Sequence, residues 1–432
     1  MRKMTKLLIP AILIIAVIIS CTVMYTSAVS DRTIYISATG TGDGSSAEKP
    51  LGPGLVTDTV KDGGSGVLTT FENAAYADVI KWMKDNVASG KMVFANDALS
   101  KAHPLYRGLE ALGAEGGTVV VVGDLFIDAA NAFENRYAGD FKLPNTGEVV
   151  IKGAEGSKLI LDHSSWDSTS LWFGGNTTIK NIAIEYRYKV TNISLTQYEA
   201  GFSFYANGNN LTIDEGVTVT SMDYASATPV KGEVFPNIFG TTRNGLEQTC
   251  NPILTVKSGT WGKVVAAGHS VNAEKCATVK GNSTINVSGG KIEYVNCAGV
   301  SPFSNRQFSA VKGNVAVNIT GGDVSFIDCV TGAGIEGALM ISIDAPAKVG
   351  TITYINTTKF GPSEPTTKYI SYKEGTIDLA NVDAAFTNSE VVEKTVTPPQ
   401  TGSPIAWLSA TAVIALVGAS VVISKKRTRI ED

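Results

Sequence analysis

Three stretches decide the fold: LTVKSGTWGKVVAAG (254–268), INVSGGKIEYVNCAG (285–299) and VNITGGDVSFIDCVTG (317–332). Laid under one another they bring Gly259, Gly290 and Gly322 to the same place, 31 and 32 residues apart. The match continues upstream, where Val279-Lys280-Gly281-Asn282 recurs as Val311-Lys312-Gly313-Asn314. A self-match at a fixed period of this size is the mark of a repeat architecture. Within each unit Ile285 and Val287, or Val317 and Ile319, occupy alternate positions, which is strand spacing. A glycine turn follows, and a second strand begins at Ile292 or Val324. No helix-length segment separates them. Strand, turn, strand at a fixed period predicts an all-β fold, a single-stranded parallel β-helix whose coils stack about 4.8 Å apart. The usual hand of the crossover makes it right-handed.

In such a stack, aligned residues form columns. Trp261, Ile292 and Val324 are predicted to make one inner column, Val264, Val295 and Ile327 a second, and Ala266, Cys297 and Cys329 a third. Equivalent positions on neighbouring coils lie within disulfide reach, about 4.4–6.8 Å between Cα atoms. Cys297 and Cys329 therefore either bridge or fill the column as two small reduced thiols. The other cysteines are Cys21, Cys250 and Cys276, with no CxxC or Cys/His cluster to suggest zinc.

Earlier and less regular coils are read in TVVVVGDLFID (118–128), VVIKGAEGSKLILD (149–162), TTIKNIAIEY (177–186) and LTIDEGVTVTS (211–221), and later ones in MISIDAPAKVGTITYIN (340–356) and TIDLANV (376–382). The β-helix is thus expected over 116–383. Before it, in 31–115, Tyr76, Val79, Ile80, Met83 and Val87 share one helical face. A second helix covers Leu105, Leu109 and Leu112 and stops at Gly113. A solenoid needs its open end covered, and a short helical N-terminal cap does that. Residues 384–401 form a Thr- and Pro-rich stalk.

The chain has 432 residues and a formal charge of −4. Setting aside residues 1–30 (three basic) and 402–432 (four basic, two acidic) leaves 29 basic against 38 acidic residues, a body of charge −9. That excludes nucleic acid as the expected partner, since phosphate binding needs a basic footprint. The N-terminal 1–30 reads as a secretory signal: Arg2, Lys3 and Lys6, an apolar run from Leu7 to Cys21, then small residues up to Ala28 and Ser30. Ile18-Ile19-Ser20-Cys21 also resembles a bacterial lipobox, in which Cys21 is lipidated.

The C-terminus resembles the sorting signal of Gram-positive surface proteins. Pro398-Pro399-Gln400-Thr401-Gly402 stands where that family has LPxTG, with Pro398 in place of Leu. An apolar run from Pro404 to Ile423 and the basic Lys425-Lys426-Arg427 follow, within a tail of 402–432. The resemblance implies cleavage between Thr401 and Gly402 by a sortase, and peptidoglycan as the covalent partner. Read from residues alone, the run is a C-terminal transmembrane helix with its basic end inside. Either way, residues 31–397 are expected outside the cell, cell-wall anchored or membrane-held.

Ile34 to Gly44, continuing to Glu48-Lys49-Pro50, resembles the opening segment of secreted members of the pectin-lyase-like β-helix superfamily. Leu109-Glu110-Ala111-Leu112-Gly113 feeding Gly116-Gly117-Thr118-Val119 resembles the helix that leads into their first coil. The superfamily spans lyases, glycoside hydrolases, adhesins and spacers, so the likeness implies fold and leaves activity open. Leu161-Asp162-His163 resembles a motif of pectate lyases, which implies Asp162 as a Ca²⁺ ligand if the chain is a lyase; their arginine-containing motif is absent, Arg243 lying in TTRNG. Gly268-His269-Ser270 is similar to a polygalacturonase motif, but paired aspartates are missing. Asp162, His163, His269 and Asp328 are the catalytic candidates; otherwise no cofactor or metal is expected. Asn296 and Asp328 are expected to stack, as are Glu293 and Ser325.

A binding surface is suggested by aromatic density: Trp166, Trp172, Phe173, Tyr186, Tyr188, Tyr198, Phe202, Phe204 and Tyr205 fall within some 40 positions, with Arg187 among them. Aromatic faces stack on sugars, so Trp172, Tyr186, Arg187, Tyr188 and Phe204 are the expected glycan-binding residues. The reading is a surface protein for non-catalytic glycan binding, adhesion or presentation. The alternatives are a polysaccharide lyase or glycoside hydrolase, and a structural spacer.

Overall fold

The computed structural model describes residues 30–394, leaving out 63–65, 87–91, 95–96, 129–132, 136–137, 164–168, 189–201, 224–234, 244–246, 270–276, 301–309, 330–333, 355–364 and 388–389. The secretory signal with Cys21, Trp166, Tyr198, Cys276, the residues Pro398, Pro399, Gln400, Thr401 and Gly402, and the apolar tail lie outside the described residues. Among the described residues no helix is long and apolar enough to cross a membrane.

The described chain is mostly strand, and its long sheet is built largely by parallel pairing of strands one repeat apart, with the short strand Phe133–Asn135 joined antiparallel to Ala138–Lys142. One ladder runs from Thr33–Ile36 through Gly117–Val121, Val149–Gly153, Thr177–Lys180, Leu211–Ile213 and Ile253–Val256. It continues through the front halves of Ser283–Asn296 and Val315–Asp328 to Ala338–Ile343, Thr367–Tyr372 and Val391–Glu393. A second ladder stacks Asp124–Asp128, Lys158–His163, Ala183–Tyr188 and Thr218–Asp223. A third runs from Ala138–Lys142 through Thr169–Trp172, Ser203–Tyr205, Asn237–Phe239 and Thr260–Val265. It ends in the back halves of the two long strands and in Lys348–Thr353. Such in-register stacking is compatible with a parallel β-helix.

The columns fall where the repeat places them. Trp261 pairs with Ile292 and Ile292 with Val324; Val264 pairs with Val295 and Val295 with Ile327. All six are buried in one continuous core. Gly290 and Gly322 hold φ of 79° and 78°, left-handed values that favour glycine. A Cβ on Gly290 would also stand 2.6 Å from the Gly259 carbonyl oxygen of the coil below. The recurring asparagines bind coil to coil. The Asn282 N–H donates to Asn251 Oδ1 at 2.9 Å, the Asn314 N–H to Asn282 Oδ1 at 2.8 Å, and the Ala338 N–H to Asn314 Oδ1 at 2.9 Å. Backbone donors at the corner, beyond the reach of the strand ladders, thus find side-chain acceptors.

Helices Tyr76–Asn86 and Pro104–Leu112 lie where the apolar spacing puts them. The second buries Leu105, Leu109 and Leu112 in the main core beside Ile36 and Val119. His103 caps it: its Nδ1 accepts from the Leu105 N–H at 3.1 Å, which leaves Nε2 to donate to the Phe126 carbonyl at 2.9 Å. The antiparallel hairpin Leu55–Asp62 and Leu68–Ala75, with Met92–Phe94 on its edge, is absent from the sequence reading. It makes a small separate core with the first helix through Val56, Val60, Val79 and Met83.

Cys297 and Cys329 are buried free thiols on adjacent coils. The structure thus has the reduced column in place of the disulfide. Burial raises the Cys329 thiol well above its ordinary range.

Candidate functional site

The expected aromatic platform comes apart in the fold. Tyr186 is fully buried, its hydroxyl accepting from the Phe202 N–H at 3.2 Å. Phe204 is also fully buried, edge-on to Trp261 at 5.6 Å. Alternation along their strands turns both inward, so neither can meet a surface glycan. Arg187 is half-buried and held by Glu185, its Nε 2.6 Å from Oε1, with Lys158 completing the network at 2.8 Å. Its guanidinium also lies 5.5 Å from the Phe126 ring. Tyr188 pairs with His163 and Asp223, and Asp162 sits in register between Asp128 and Arg187. The side chains of Asp162, His163 and Tyr188 lie outside the described residues. Among the described residues no group of three His, Cys, Asp or Glu is placed to hold a metal ion.

Trp172 belongs to a row on the outer side of the third ladder. Register gives Lys142, Trp172, Tyr205, Phe239, Val265, Asn296, Asp328 and Thr353 in order. Most of this outward row is nonetheless covered. Tyr205, Phe239, Val265 and Val300 form a buried apolar cluster with Trp172 at its margin. The segments leaving the ladder return over it: Arg243 bridges to His269 and His269 to Val300, and the His269 ring stacks on Phe239 at 5.8 Å.

Two positions earlier on each strand lies a second outer row, Lys263, Tyr294 and Phe326, followed by Thr351 (the inner residues Ile292 and Val295 stand three apart, so the strand bends and the two between them, Glu293 and Tyr294, both face out). The Tyr294 and Phe326 rings stack at 4.9 Å and 17°. Tyr294 is half-exposed and Phe326 is 37% exposed. Lys263 Nζ lies 5.9 Å from the Tyr294 ring. Burial lowers the Lys263 ammonium to about 8, against the opposing pull of Glu293 and Asp328. Partial burial raises the Glu293 carboxyl, and Lys263 offsets part of that rise.

Above this corner sit Thr242, Arg243 and His269. His269 is 95% buried by its 5% exposure, and burial, Arg243 and Lys263 together push its imidazole down to about 3. Its Nε2, the Arg243 Nε and Nη1, and the Thr242 hydroxyl are buried without hydrogen-bond partners among the described residues. His269 and Asp328, named separately as catalytic candidates, thus meet in one neighbourhood with Lys263 between them. The Tyr294–Phe326 pair escaped the sequence reading, although the repeat alignment already sets the two residues opposite each other.

Compared with models of known families, with curated proteins and with solved structures, the chain matches none.

Proposed function

We propose that this chain is a right-handed β-helix of the pectin-lyase-like kind, exported and held at a Gram-positive cell surface, whose outer corner binds an extracellular glycan. The observation that carries the reading is the exposed stack of Tyr294 on Phe326. The two nearly parallel rings, stacked one on the other, present an apolar flank of ring edges, a ledge against which the C–H groups of a sugar can pack. Glu293 and Asp323 on the same strands supply hydrogen-bond acceptors for hydroxyls. Sortase linkage at Thr401 would fix the ledge outside the cell, with peptidoglycan as covalent partner and the tail in the membrane beforehand. The test is retention of the full chain, in mild detergent, on immobilised extracellular polysaccharides. Retention lost in the Tyr294→Ala, Phe326→Ala double variant supports the ledge. Failure to be retained on any glycan would leave the chain a spacer.

A catalytic reading is favoured by one observation. Lys263 and Glu293 are shifted toward neutrality from opposite sides, the condition for a base and an acid working at one pH. A polysaccharide lyase or hydrolase at this corner would release unsaturated or reducing ends from the glycan it binds, and Lys263→Met would stop their release.

A further inference from the structure

The corner carries a polar group that the ledge does not use. Thr242 and Arg243 follow the strand Asn237–Phe239, and His269 follows Thr260–Val265 one coil later. The bridge between Arg243 and His269 holds the two segments side by side. Leaving a buried donor unmatched costs about 1–3 kcal/mol, and more for a charged group. Four such atoms lie on these two bridged segments: Arg243 Nε and Nη1, the Thr242 hydroxyl and His269 Nε2. A guanidinium cannot shed its proton to escape that cost. Arg243 is itself partly exposed, so its side chain reaches solvent although these four atoms do not.

The chemistry of the missing partner follows from charge. Lys263 is faced by Glu293 and Asp328. Arg243 forms no ion pair among the described residues. It also raises the local potential enough to depress His269, together with burial and Lys263. Among the described residues the group therefore holds one uncompensated positive charge and several donors, which suits an acceptor-only oxyanion of charge −1. We propose that Thr242, Arg243 and His269 bind a monoanionic group, a carboxylate or a sulfate ester, carried on a sugar of the glycan; this rests on the glycan reading above. The Arg243 guanidinium and the Thr242 hydroxyl donate to the anion. The neutral His269 imidazole, held flat against Phe239, presents Nε2 as a third donor.

The experiment follows ring signals of the full chain with ¹³C-labelled histidine. There are three histidines, and His269→Gln assigns the signal sought. The probes are glucuronate, glucose 6-sulfate, glucose, acetate and inorganic sulfate. The expected result is a saturable shift of the His269 signal with glucuronate or glucose 6-sulfate and none with glucose; the tighter of the two names the group. Arg243→Met should weaken that binding by roughly tenfold or more. Arg243→Lys, which keeps the charge but loses the planar donor set, should recover part of it, and serves if the methionine variant does not fold. The Tyr294→Ala, Phe326→Ala variant should keep the shift with the monosaccharides while losing polymer retention, so the ledge and the anion site fail separately. A shift with acetate and inorganic sulfate but not with either sugar anion would overturn the proposal, since the group would then serve free ions. So would an unmoved His269 signal with every probe, or an Arg243→Met protein that binds as the parent does.

Discussion

Tyr205 on Phe239 and Tyr294 on Phe326 are almost the same object. Each pair joins two adjacent coils, stands on the outer side of a strand, and stacks at 4.9 Å with interplanar angles of 18° and 17°. Yet Tyr205 and Phe239 are 1% and 2% exposed, while Phe326 is 37% exposed. The stacking distance is the coil spacing itself, about 4.8 Å between paired strands. Stack geometry is therefore a consequence of register and carries no function of its own. What separates the pairs is cover. The chain after Val265 and after Asn296 returns over the earlier row, placing His269 and Val300 on it. Tyr294 and Phe326, at the bend, receive no such lid from the described residues.

The comparison breaks most visibly under truncation. Phe239→Ala should lower stability by about 3–5 kcal/mol, the usual cost of emptying a buried aromatic site, read as a shift in the urea midpoint. If the loss were under about 1 kcal/mol, the outer row would not be a second core. Acid should act on the same covered layer. Folded-state imidazoles sit at about 4 for His103 and about 3 for His269, both below an ordinary histidine. Between those values and about 6.5 the unfolded chain binds more protons. Stability is thus complete above about 6.5 and falls as pH drops toward 4 and then 3. At roughly 1.4 kcal/mol per pKa unit, the loss is up to about 3 kcal/mol for His103 and up to about 5 kcal/mol for His269. His269→Gln should flatten the lower part of the curve and leave the part due to His103.

The contrast also marks what the sequence could reveal. The period of 31 and 32, the inner columns and the helix at Leu105, Leu109 and Leu112 were all legible, because one-sided burial writes itself as alternation or as a helical face. Asn296 over Asp328 was legible for the same reason. The hairpin Leu55–Asp62 with Leu68–Ala75 was not: Leu55 and Leu68 are each 65% exposed, so its apolar residues do not track burial. The aromatic cluster misled because density in sequence ignores the alternation that turns Tyr186 and Phe204 inward. Arg243, set aside for lack of a flanking proline, meets His269 only through an excursion that no periodicity describes.

Smaller effects sharpen the picture. Asn282→Ala removes the acceptor for the exposed Asn314 N–H and should cost about 1 kcal/mol, typical of one such hydrogen bond. An equal loss at Asn314 would show that the asparagine row is a repeated device. Phe326→Ala should move stability by about 0.5 kcal/mol or less, as at other surface positions, while retention on glycan falls. A loss as large as that of Phe239→Ala would assign both pairs to the same structural role and remove the ledge.

The least effect is expected at the other stacked pair. Cys297 and Cys329 repeat the geometry once more, on the inner side, where both are fully buried. Exchange needs a thiolate, and burial raises the Cys329 thiol well above its ordinary range. The free thiols of the fold predict an outcome: a reducing agent should leave the melting temperature of the purified protein unchanged. Alkylation after unfolding without reductant should tag both Cys297 and Cys329. A lower melting temperature with reductant, or a peptide pair that stays untagged until reduced, would convert this column into a cross-link.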